Sequence, residues 1–203
     1  MMEERWHVPV VSVGEVLRKE IITGSPLGHE AASFIDFGRL VPDRVAVAAV
    51  EAWLKAGGAG ESFVFDGFPR TVGQARALDE VLGRLGTPLT AVVWLELDEH
   101  SIAERVGRRV SCADCGRSFQ IGWQVASREE ACPVCGGKLT VRKDDDPATL
   151  AERMEQYRQH TAPVKDFYAT RGLLRVIEGG LTPEEVFAHI EAATVVSQEV
   201  AAA

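Results

Sequence analysis

The chain has 203 residues, and 22 lysines and arginines against 30 aspartates and glutamates give a formal net charge of −8. Apolar residues make up 46% and charged residues 26% of the chain, a balance that predicts a globular protein with a sizeable core and excludes the disordered and collagen-like classes. The acidic balance argues against non-specific nucleic-acid binding, and no apolar run is long enough to cross a bilayer.

Four short β-like runs alternate with helical segments along the chain. The polar residues 1–7 lack the apolar stretch of a signal peptide, so we expect a cytoplasmic protein. The β-like runs span residues 8–13, 62–65, 91–97 and 173–177. The third is apolar over most of its length, which is typical of a strand in a parallel sheet. Helix starts are indicated by the capping boxes Ser12-x-x-Glu15, Thr71-x-x-Gln74 and Thr182-x-x-Glu185, and by Ser25-Pro26 and Asp146-Pro147. This alternation predicts an α/β fold.

The cysteines form two C-x2-C pairs that are sixteen residues apart: Cys112, Cys115, Cys132 and Cys135. A glycine follows each pair, which lets the backbone turn both sulfurs toward one point. Four thiolates at this spacing indicate a structural Zn²⁺ site with no open position for chemistry. The alternatives are two disulfides, which a reducing compartment disfavours, or four free buried thiols. Residues 110–145 interrupt the strand–helix alternation and are interpreted as an inserted module.

A short polar segment, Asp66-Gly67-Phe68-Pro69-Arg70-Thr71, follows directly on the second β-like run. In an open parallel sheet, ligands bind at the carboxyl ends of the strands. An acid, a glycine and an arginine at such a place indicate a phosphate or Mg²⁺ site. The alternative is a tight strand-to-helix turn that needs Gly67 and Pro69 for shape alone.

Arginines recur near the predicted ends of elements or on helices: Arg18, Arg70, Arg105, Arg108, Arg109, Arg142 and Arg153. A guanidinium group matches the oxygens of a phosphate in a way that a lysine ammonium does not. Each arginine taken alone is explained as well by a solvated surface role, so the hypothesis of a phosphate site rests on the set.

Together these motifs resemble the adenylate kinase family in its bacterial form with a zinc-bearing lid. Asp66-Gly-Phe-Pro-Arg-Thr71 is similar to the family signature, and Ser12-Val-Gly-Glu-Val-Leu-Arg18 is similar to its Ser-Thr-Gly-Asp-x-Leu-Arg segment. The stretch Gly38-Arg-Leu-Val-Pro-Asp43 resembles the end of its monophosphate-binding segment. The cysteine spacing, Arg142-Lys-Asp-Asp145, Arg153 and Thr161-Ala-Pro163 follow the family order. The similarity runs over nearly the whole chain.

The resemblance implies a P-loop-NTPase-like parallel sheet with helices on both faces, formed by residues 1–109 and 146–203. It implies a monophosphate-binding segment at residues 12–41 and a zinc-ribbon lid at residues 110–145. The implied reaction is reversible phosphoryl transfer from ATP to AMP, which gives two ADP. The implied metals are Mg²⁺ with ATP and structural Zn²⁺ in the lid. We further expect a monomer that binds neither nucleic acid nor membrane.

The resemblance also assigns roles to the matching residues. For AMP these are Arg18, Arg39, Val41, Gly67, Arg70, Gln74, Arg142 and Arg153. For ATP they are Arg105, Arg109 and Leu181. The catalytic set is Asp66, Arg70, Arg109, Arg142 and Arg153, with Asp66 orienting waters on Mg²⁺. Asp144 and Asp145 are expected to pair within the lid and with the arginines. Gln74 is expected to read the adenine edge, its alternative being the capping box with Thr71, and both can hold.

One family motif is absent from these 203 residues. The family opens with a strand and a phosphate loop of the pattern G-x-x-x-x-G-K-S/T, which occurs nowhere in this chain. That loop supplies backbone N–H groups and a lysine to the ATP phosphates. The resemblance places the missing strand at the centre of the sheet, between the counterparts of residues 62–65 and 91–97. We therefore expect both neighbouring strands to lose ladder hydrogen bonds, at about 1–3 kcal/mol for each buried group left unpaired.

Two interpretations of this difference stay open. In the first, Met1 is an internal methionine of a longer protein that carries the loop. In the second, the chain is a relative without the loop that binds nucleotide or a partner without transferring phosphate. A kinase for another nucleoside monophosphate is a further alternative, because Val13 replaces the family threonine. A register without gaps assigns the family phosphate arginine to Arg109, with Arg108 as the fallback.

Overall fold

A computed structural model describes residues 2–55, 62–142 and 145–201, with side chains described as far as Thr194. The helices are α1 (Met2–Trp6), α2 (Val13–Ile22), α3 (Pro26–Ile35), α4 (Asp43–Trp53), α5 (Val72–Leu85), α6 (Glu99–Gly107), α7 (Pro147–Gln156), α8 (Ala162–Ala169) and α9 (Pro183–Ala201). The strands are β1 (Val10–Ser12), β2 (Val64–Asp66), β3 (Val92–Glu96), β4 (Arg109–Cys112), β5 (Ser118–Gln120), β6 (Leu139–Thr140) and β7 (Leu174–Glu178). A five-residue π-helix, Tyr157–Thr161, lies between α7 and α8. The predicted α/β class is confirmed.

The helix starts follow from local side-chain chemistry. Ser25 accepts a hydrogen bond from the backbone N–H of Gly28, and Thr71 accepts one from that of Gln74. Thr182 and Glu185 form the reciprocal bonds of the predicted capping box, at 2.9 and 3.3 Å. Each cap satisfies backbone donors that the first turn of a helix leaves without an intrahelical acceptor.

The parallel strands are divided into two sheets. Strand β1 pairs with β2, and β3 pairs with β7, all in parallel register. Among the described strands, β2 and β3 do not pair with each other. This division falls between the second and third predicted strands, where the resemblance places the missing central strand.

The backbone hydrogen bonds of β2 and β3 show which of their residues point away from the paired strand. The N–H of Val64 donates to the carbonyl of Pro9, and the N–H of Val92 donates to that of Leu173. Because successive residues of a parallel strand address opposite neighbours, the N–H and C=O groups of Phe65, Val93 and Leu95 point to the other edge. Among the described residues, no strand pairs with β2 or β3 on that edge, which is where the resemblance places the missing strand.

The chain separates into two compact units, each of which is described by itself. Residues 1–13, 46–97 and 157–203 form the first unit, and residues 14–45 and 98–156 form the second. In the first unit, Ala75 of α5 forms a buried cluster with Val164 and Tyr168 of α8. The domain boundaries expected from the resemblance stay a prediction. None of the described helices combines the length and the apolar character that a bilayer span requires.

The cysteine-bearing segment of the second unit is a three-stranded antiparallel sheet in the order β5-β4-β6. Its small core contains Val110, Phe119, Val125 and Leu139 together with two of the cysteines. Gly116 and Gly136, which follow the two cysteine pairs, have φ of 74° and 76°. The expectation that glycine allows each turn is confirmed, because this backbone region is costly for other residues.

Two helical glycines are expected to respond in opposite ways to alanine. A Cβ on Gly28 would lie 2.1 Å from the carbonyl oxygen of Glu20, whereas a Cβ on Gly83 meets nothing within 4 Å. Gly28→Ala should therefore lower the free energy of unfolding by about 1–3 kcal/mol through overpacking. Gly83→Ala should raise it by about 0.5–1 kcal/mol, because alanine loses less backbone entropy in a helix. Urea unfolding measures both, and equal effects of the two substitutions would contradict this packing.

Candidate functional site

The loop that follows β2 holds Arg70 in a defined conformation. Asp66 ends the strand and is exposed, and Gly67 follows with a φ of 68°. The Arg70 Nε donates to the carbonyl oxygen of Gly67 at 2.7 Å. A Cβ on Gly67 would lie only 2.8 Å from an Arg70 guanidinium nitrogen. Glycine is therefore needed both for the turn and for the close approach of the arginine.

Gln74 supports the same loop from the first turn of α5. Its side chain is buried, and its Oε1 accepts a hydrogen bond from the backbone N–H of Arg70 at 2.8 Å. Thr71 caps the helix through the N–H of Gln74 at 3.0 Å. The predicted helix cap at Thr71 is therefore confirmed. The expected contact of Gln74 with the adenine edge of AMP stays a prediction.

Thr161 contacts this loop from a distant part of the chain. Its Oγ1 donates to the carbonyl oxygen of Arg70 at 2.9 Å. The sequence places Thr161 in a family-like Thr-Ala-Pro segment but gives it no role. The only signal available was its position before a helix that begins with Ala162 and Pro163, which by itself predicts a helix cap.

In the second unit, Asp145 brings together two of the predicted phosphate arginines. The Arg109 Nε donates to one carboxylate oxygen of Asp145 at 2.9 Å, and an Arg109 terminal nitrogen contacts the other. The Arg153 Nη1 donates to Asp145 at 3.3 Å. The Asp145 side chain is 1% exposed, against 20% for Arg109 and 27% for Arg153. The expected pairing of Asp145 with arginines is confirmed, and Asp144 lies outside the described residues.

The two candidates for the family phosphate arginine, Arg109 and Arg108, differ in burial. Arg109 is half-buried against Asp145, whereas Arg108 is exposed at the C-terminal end of α6. Two guanidinium groups and one carboxylate carry a formal net charge of +1. Such a pre-positioned cationic pair is suited to the oxygens of a phosphate, because Arg–phosphate hydrogen bonds are charge-assisted.

A second contact in this unit fixes the segment that contains Arg39. The Arg39 Nε lies 3.4 Å from a Glu152 carboxylate oxygen of α7. Gly38 precedes it with a φ of 70°, and a Cβ there would lie 2.6 Å from the carbonyl oxygen of Thr149. Close packing of the Gly38 backbone on α7 therefore places Arg39 beside the helix that carries Arg153.

The remaining predicted residues occupy varied positions. Arg18 is half-buried on α2 with its guanidinium group near Gly14, and Val41 is half-buried. Arg105 is exposed on α6. Arg142 is half-buried, and its carbonyl oxygen accepts from the N–H of Asp145 at 3.1 Å. Leu181 is half-buried in the turn before α9. The nucleotide contacts expected of these residues stay predictions.

The four cysteines converge on one point in the second unit. The Sγ atoms of Cys112 and Cys135 are 3.4 Å apart, and those of Cys115 and Cys132 are 3.7 Å apart. All four lie within 4.8 Å of one another, and all are free thiols. Tetrahedral coordination at a Zn–S distance of about 2.3 Å spaces the sulfurs by about 3.8 Å. The cluster can therefore hold a zinc ion, and its sulfurs are too far apart for the alternative of disulfides.

The sulfurs differ in their acidity. The backbone N–H of Cys115 is the main cause that lowers the pKa of the Cys112 thiol to about 7. The backbone N–H of Gly137 lowers the pKa of Cys135, but the adjacent Cys112 and Cys115 sulfurs outweigh it and raise the value to about 12. One thiolate forms readily, and further ionisation beside it is disfavoured. The positive charge of a bound cation would compensate the negative charges of the thiolates, and so would favour deprotonation of all four thiols.

Comparison with known proteins agrees with this geometry. A family model for adenylate kinase matches residues 1–173. The chain is 40% identical over 187 residues to the adenylate kinase of Acidothermus cellulolyticus. The aligned residues cover 92% of this chain and 86% of that protein. The chain is 39% identical over 191 residues to the adenylate kinase of Clostridium tetani, across 94% of this chain and 88% of that protein. With the signature loop, the arginine pair and the cysteine cluster, these matches show that the chain belongs to the adenylate kinase family.

Proposed function

We propose that this protein is a nucleoside monophosphate kinase that transfers a phosphoryl group reversibly from ATP to AMP and forms two ADP. The observation that carries the proposal is the pair of arginines fixed on the buried carboxylate of Asp145. Phosphoryl transfer needs little covalent chemistry from a protein and depends on positioning and on neutralising charge. Family membership supports the same reaction.

The proposal gives each group of residues a task. We assign AMP to Arg18, Arg39, Val41, Gly67, Arg70, Gln74, Arg142 and Arg153, with Arg18 and Arg70 on its phosphate and Gln74 on its adenine edge. We assign ATP to Arg105, Arg109 and Leu181, with Mg²⁺ accompanying its phosphates and Asp66 orienting waters on that ion. During transfer, the guanidinium groups of Arg70, Arg109, Arg142 and Arg153 stabilise the charge that spreads over the phosphoryl oxygens.

The proposal extends to metal and partners. Cys112, Cys115, Cys132 and Cys135 would hold one structural Zn²⁺, which stiffens the segment of residues 110–145. We further propose a cytoplasmic monomer that binds ATP, AMP and ADP but neither nucleic acid nor membrane. The net charge of −8 supports the absence of nucleic-acid binding.

A second candidate function rests on one sequence observation. No G-x-x-x-x-G-K-S/T loop occurs in these 203 residues, so the backbone cradle and lysine that hold ATP phosphates in P-loop proteins are not supplied by them. A protein of this kind can bind AMP through the Arg70 loop without transferring phosphate. Binding and turnover must therefore be measured separately.

The deciding experiment measures ADP formation from ATP, AMP and Mg²⁺ beside AMP binding by calorimetry. We expect AMP-dependent turnover and expect Arg70→Ala to lower kcat/KM for AMP by about 10²- to 10³-fold, the usual effect of removing one transition-state donor. Arg76→Ala, at an exposed position of the same helix α5, is the matched control and should match the wild type. AMP binding without ADP formation would favour the second candidate, and the absence of both would overturn the proposal.

A further inference from the structure

The π-helix between α7 and α8 ends at Thr161, whose hydroxyl does not cap the helix that follows. Thr161 directly precedes α8, where a threonine ordinarily accepts a hydrogen bond from a backbone N–H of the first turn. Thr161 makes no such capping bond and has helical φ and ψ of −90° and −41°. Its hydroxyl donates instead to the carbonyl oxygen of Arg70, which is 91 residues away in the chain.

The two ends of this π-helix lie beside other elements of the first unit, to which the π-helix itself belongs. At one end, the ring of Tyr157 lies 6.1 Å from that of Trp94 on β3. At the other end, α8 packs its buried Val164 and Tyr168 against Ala75 of α5. Short π-helical segments occur often at functional sites, because the wider turn redirects side chains. Here the turn ends with Thr161 aimed at the loop that begins α5.

Three hydrogen bonds are among the contacts that hold the backbone and side chain of Arg70. Its N–H donates to Gln74, its Nε donates to the carbonyl of Gly67, and its own carbonyl accepts from Thr161. Gln74 and Gly67 lie within four residues of Arg70, so they belong to the same loop and helix start. Among these three contacts, only Thr161 connects the loop to a different element.

We infer that Thr161 is a positioning residue that sets the direction of the Arg70 guanidinium group toward the monophosphate. This inference rests on the proposed function, because it takes the AMP phosphate as the ligand of Arg70. Thr161 needs no contact with the nucleotide. It acts by preventing rotation of the peptide that follows Arg70, and this fixes the stem from which the guanidinium group projects.

The expected effect is specific to the phosphate of the ligand. Replacing Thr161 by valine keeps the side-chain shape and removes the hydroxyl. Thr161→Val should weaken AMP binding by about 2- to 12-fold, the range that follows from the usual net contribution of one hydrogen bond. It should leave the affinity for adenosine unchanged, because adenosine lacks the group that Arg70 binds. Thr161→Ser keeps the donor and should bind AMP within about twofold of the wild type.

A matched control lies at the other end of α8. Thr170 also donates its hydroxyl to a backbone carbonyl, that of Phe167 at 3.1 Å, and it is exposed. Thr170→Val removes a bond of the same type that has no connection to Arg70. Calorimetry with AMP and with adenosine on all variants, together with thermal melting by circular dichroism, compares them. We expect Thr170→Val to match the wild type for both ligands.

A double-mutant cycle tests whether Thr161 acts through Arg70. In an Arg70→Ala background the guanidinium group is gone, so Thr161→Val should have no further effect on AMP affinity. An equally large effect in that background would overturn the inference, as would equal losses for AMP and adenosine or an unchanged AMP affinity in Thr161→Val. Should Thr161→Val melt early, Thr161→Ala provides the second donor-free variant. Failure of the wild type to bind AMP would overturn the proposed function itself, which separates the two outcomes.

Discussion

Removal of the proposed zinc from the four-cysteine cluster is expected to unfold the segment that contains β4, β5 and β6. Its core contains few apolar side chains, among them Val110, Phe119 and Leu139, too few to offset the entropy of ordering more than thirty residues. Structural zinc contributes about 10–16 kcal/mol in small zinc modules, comparable to the whole stability of a domain. A chelator should make this segment sensitive to protease, and metal analysis should find one zinc per chain.

Two substitutions in this segment separate metal binding from general damage. Cys132→Ser removes one of the four sulfurs and should reproduce the effect of the chelator without any chelator. Arg128→Ala changes an exposed side chain of the connecting stretch and should leave zinc content and protease resistance unchanged. Protein that folds and resists protease equally well with no bound metal would contradict a structural zinc site.

Replacement of Asp145 by alanine is expected to be the most damaging single change outside the cysteines. The carboxylate is almost completely buried and contacts both Arg109 and Arg153. Its loss removes the buried carboxylate that both arginines share, and breaking such a buried pair costs about 3–5 kcal/mol. We expect a value near 3 kcal/mol in urea unfolding, because both arginines retain part of their hydration. Turnover should fall as well, since the pair loses its fixed geometry.

Glu152→Ala provides the comparison for Asp145. Glu152 also contacts an arginine of the same unit, but at 3.4 Å and with side chains that are 36% and 62% exposed. Solvent screening limits the contribution of such a pair to about 0–1 kcal/mol. A cost for Asp145→Ala no larger than that for Glu152→Ala would show that burial of the carboxylate does not strengthen the cluster.

The features that the sequence predicts well are those decided by neighbouring residues. Ser25, Thr71 and Thr182 cap helices as predicted, because a cap needs only one side chain and the N–H groups two or three residues later. The convergence of the four cysteines is predicted from their spacing, because the two cysteines of each pair are only three residues apart and a short module joins the pairs. Strand lengths are less well predicted: the run at residues 8–13 yields only Val10–Ser12, since a strand extends only as far as its partner pairs with it.

The contacts that the sequence does not reveal join residues that are far apart in the chain. Asp145 meets Arg109 across 36 residues, and only the family resemblance suggested their pairing. Thr161 reaches Arg70 across 91 residues, and nothing in its neighbourhood distinguishes this use from an ordinary cap. Such contacts depend on how elements pack, which no local pattern specifies.

The division of the parallel strands makes β2 and β3 potential sites of aggregation. Backbone groups of Phe65, Val93 and Leu95 face an edge that another extended chain can join, and Leu95 is 51% exposed. Natural sheets protect such edges with charge. Glu96, which ends β3 and forms an ion pair with Lys165, is a charge of this kind. Replacing Glu96 by glutamine should therefore increase the formation of cross-β fibrils, because charge near an open edge opposes strand addition.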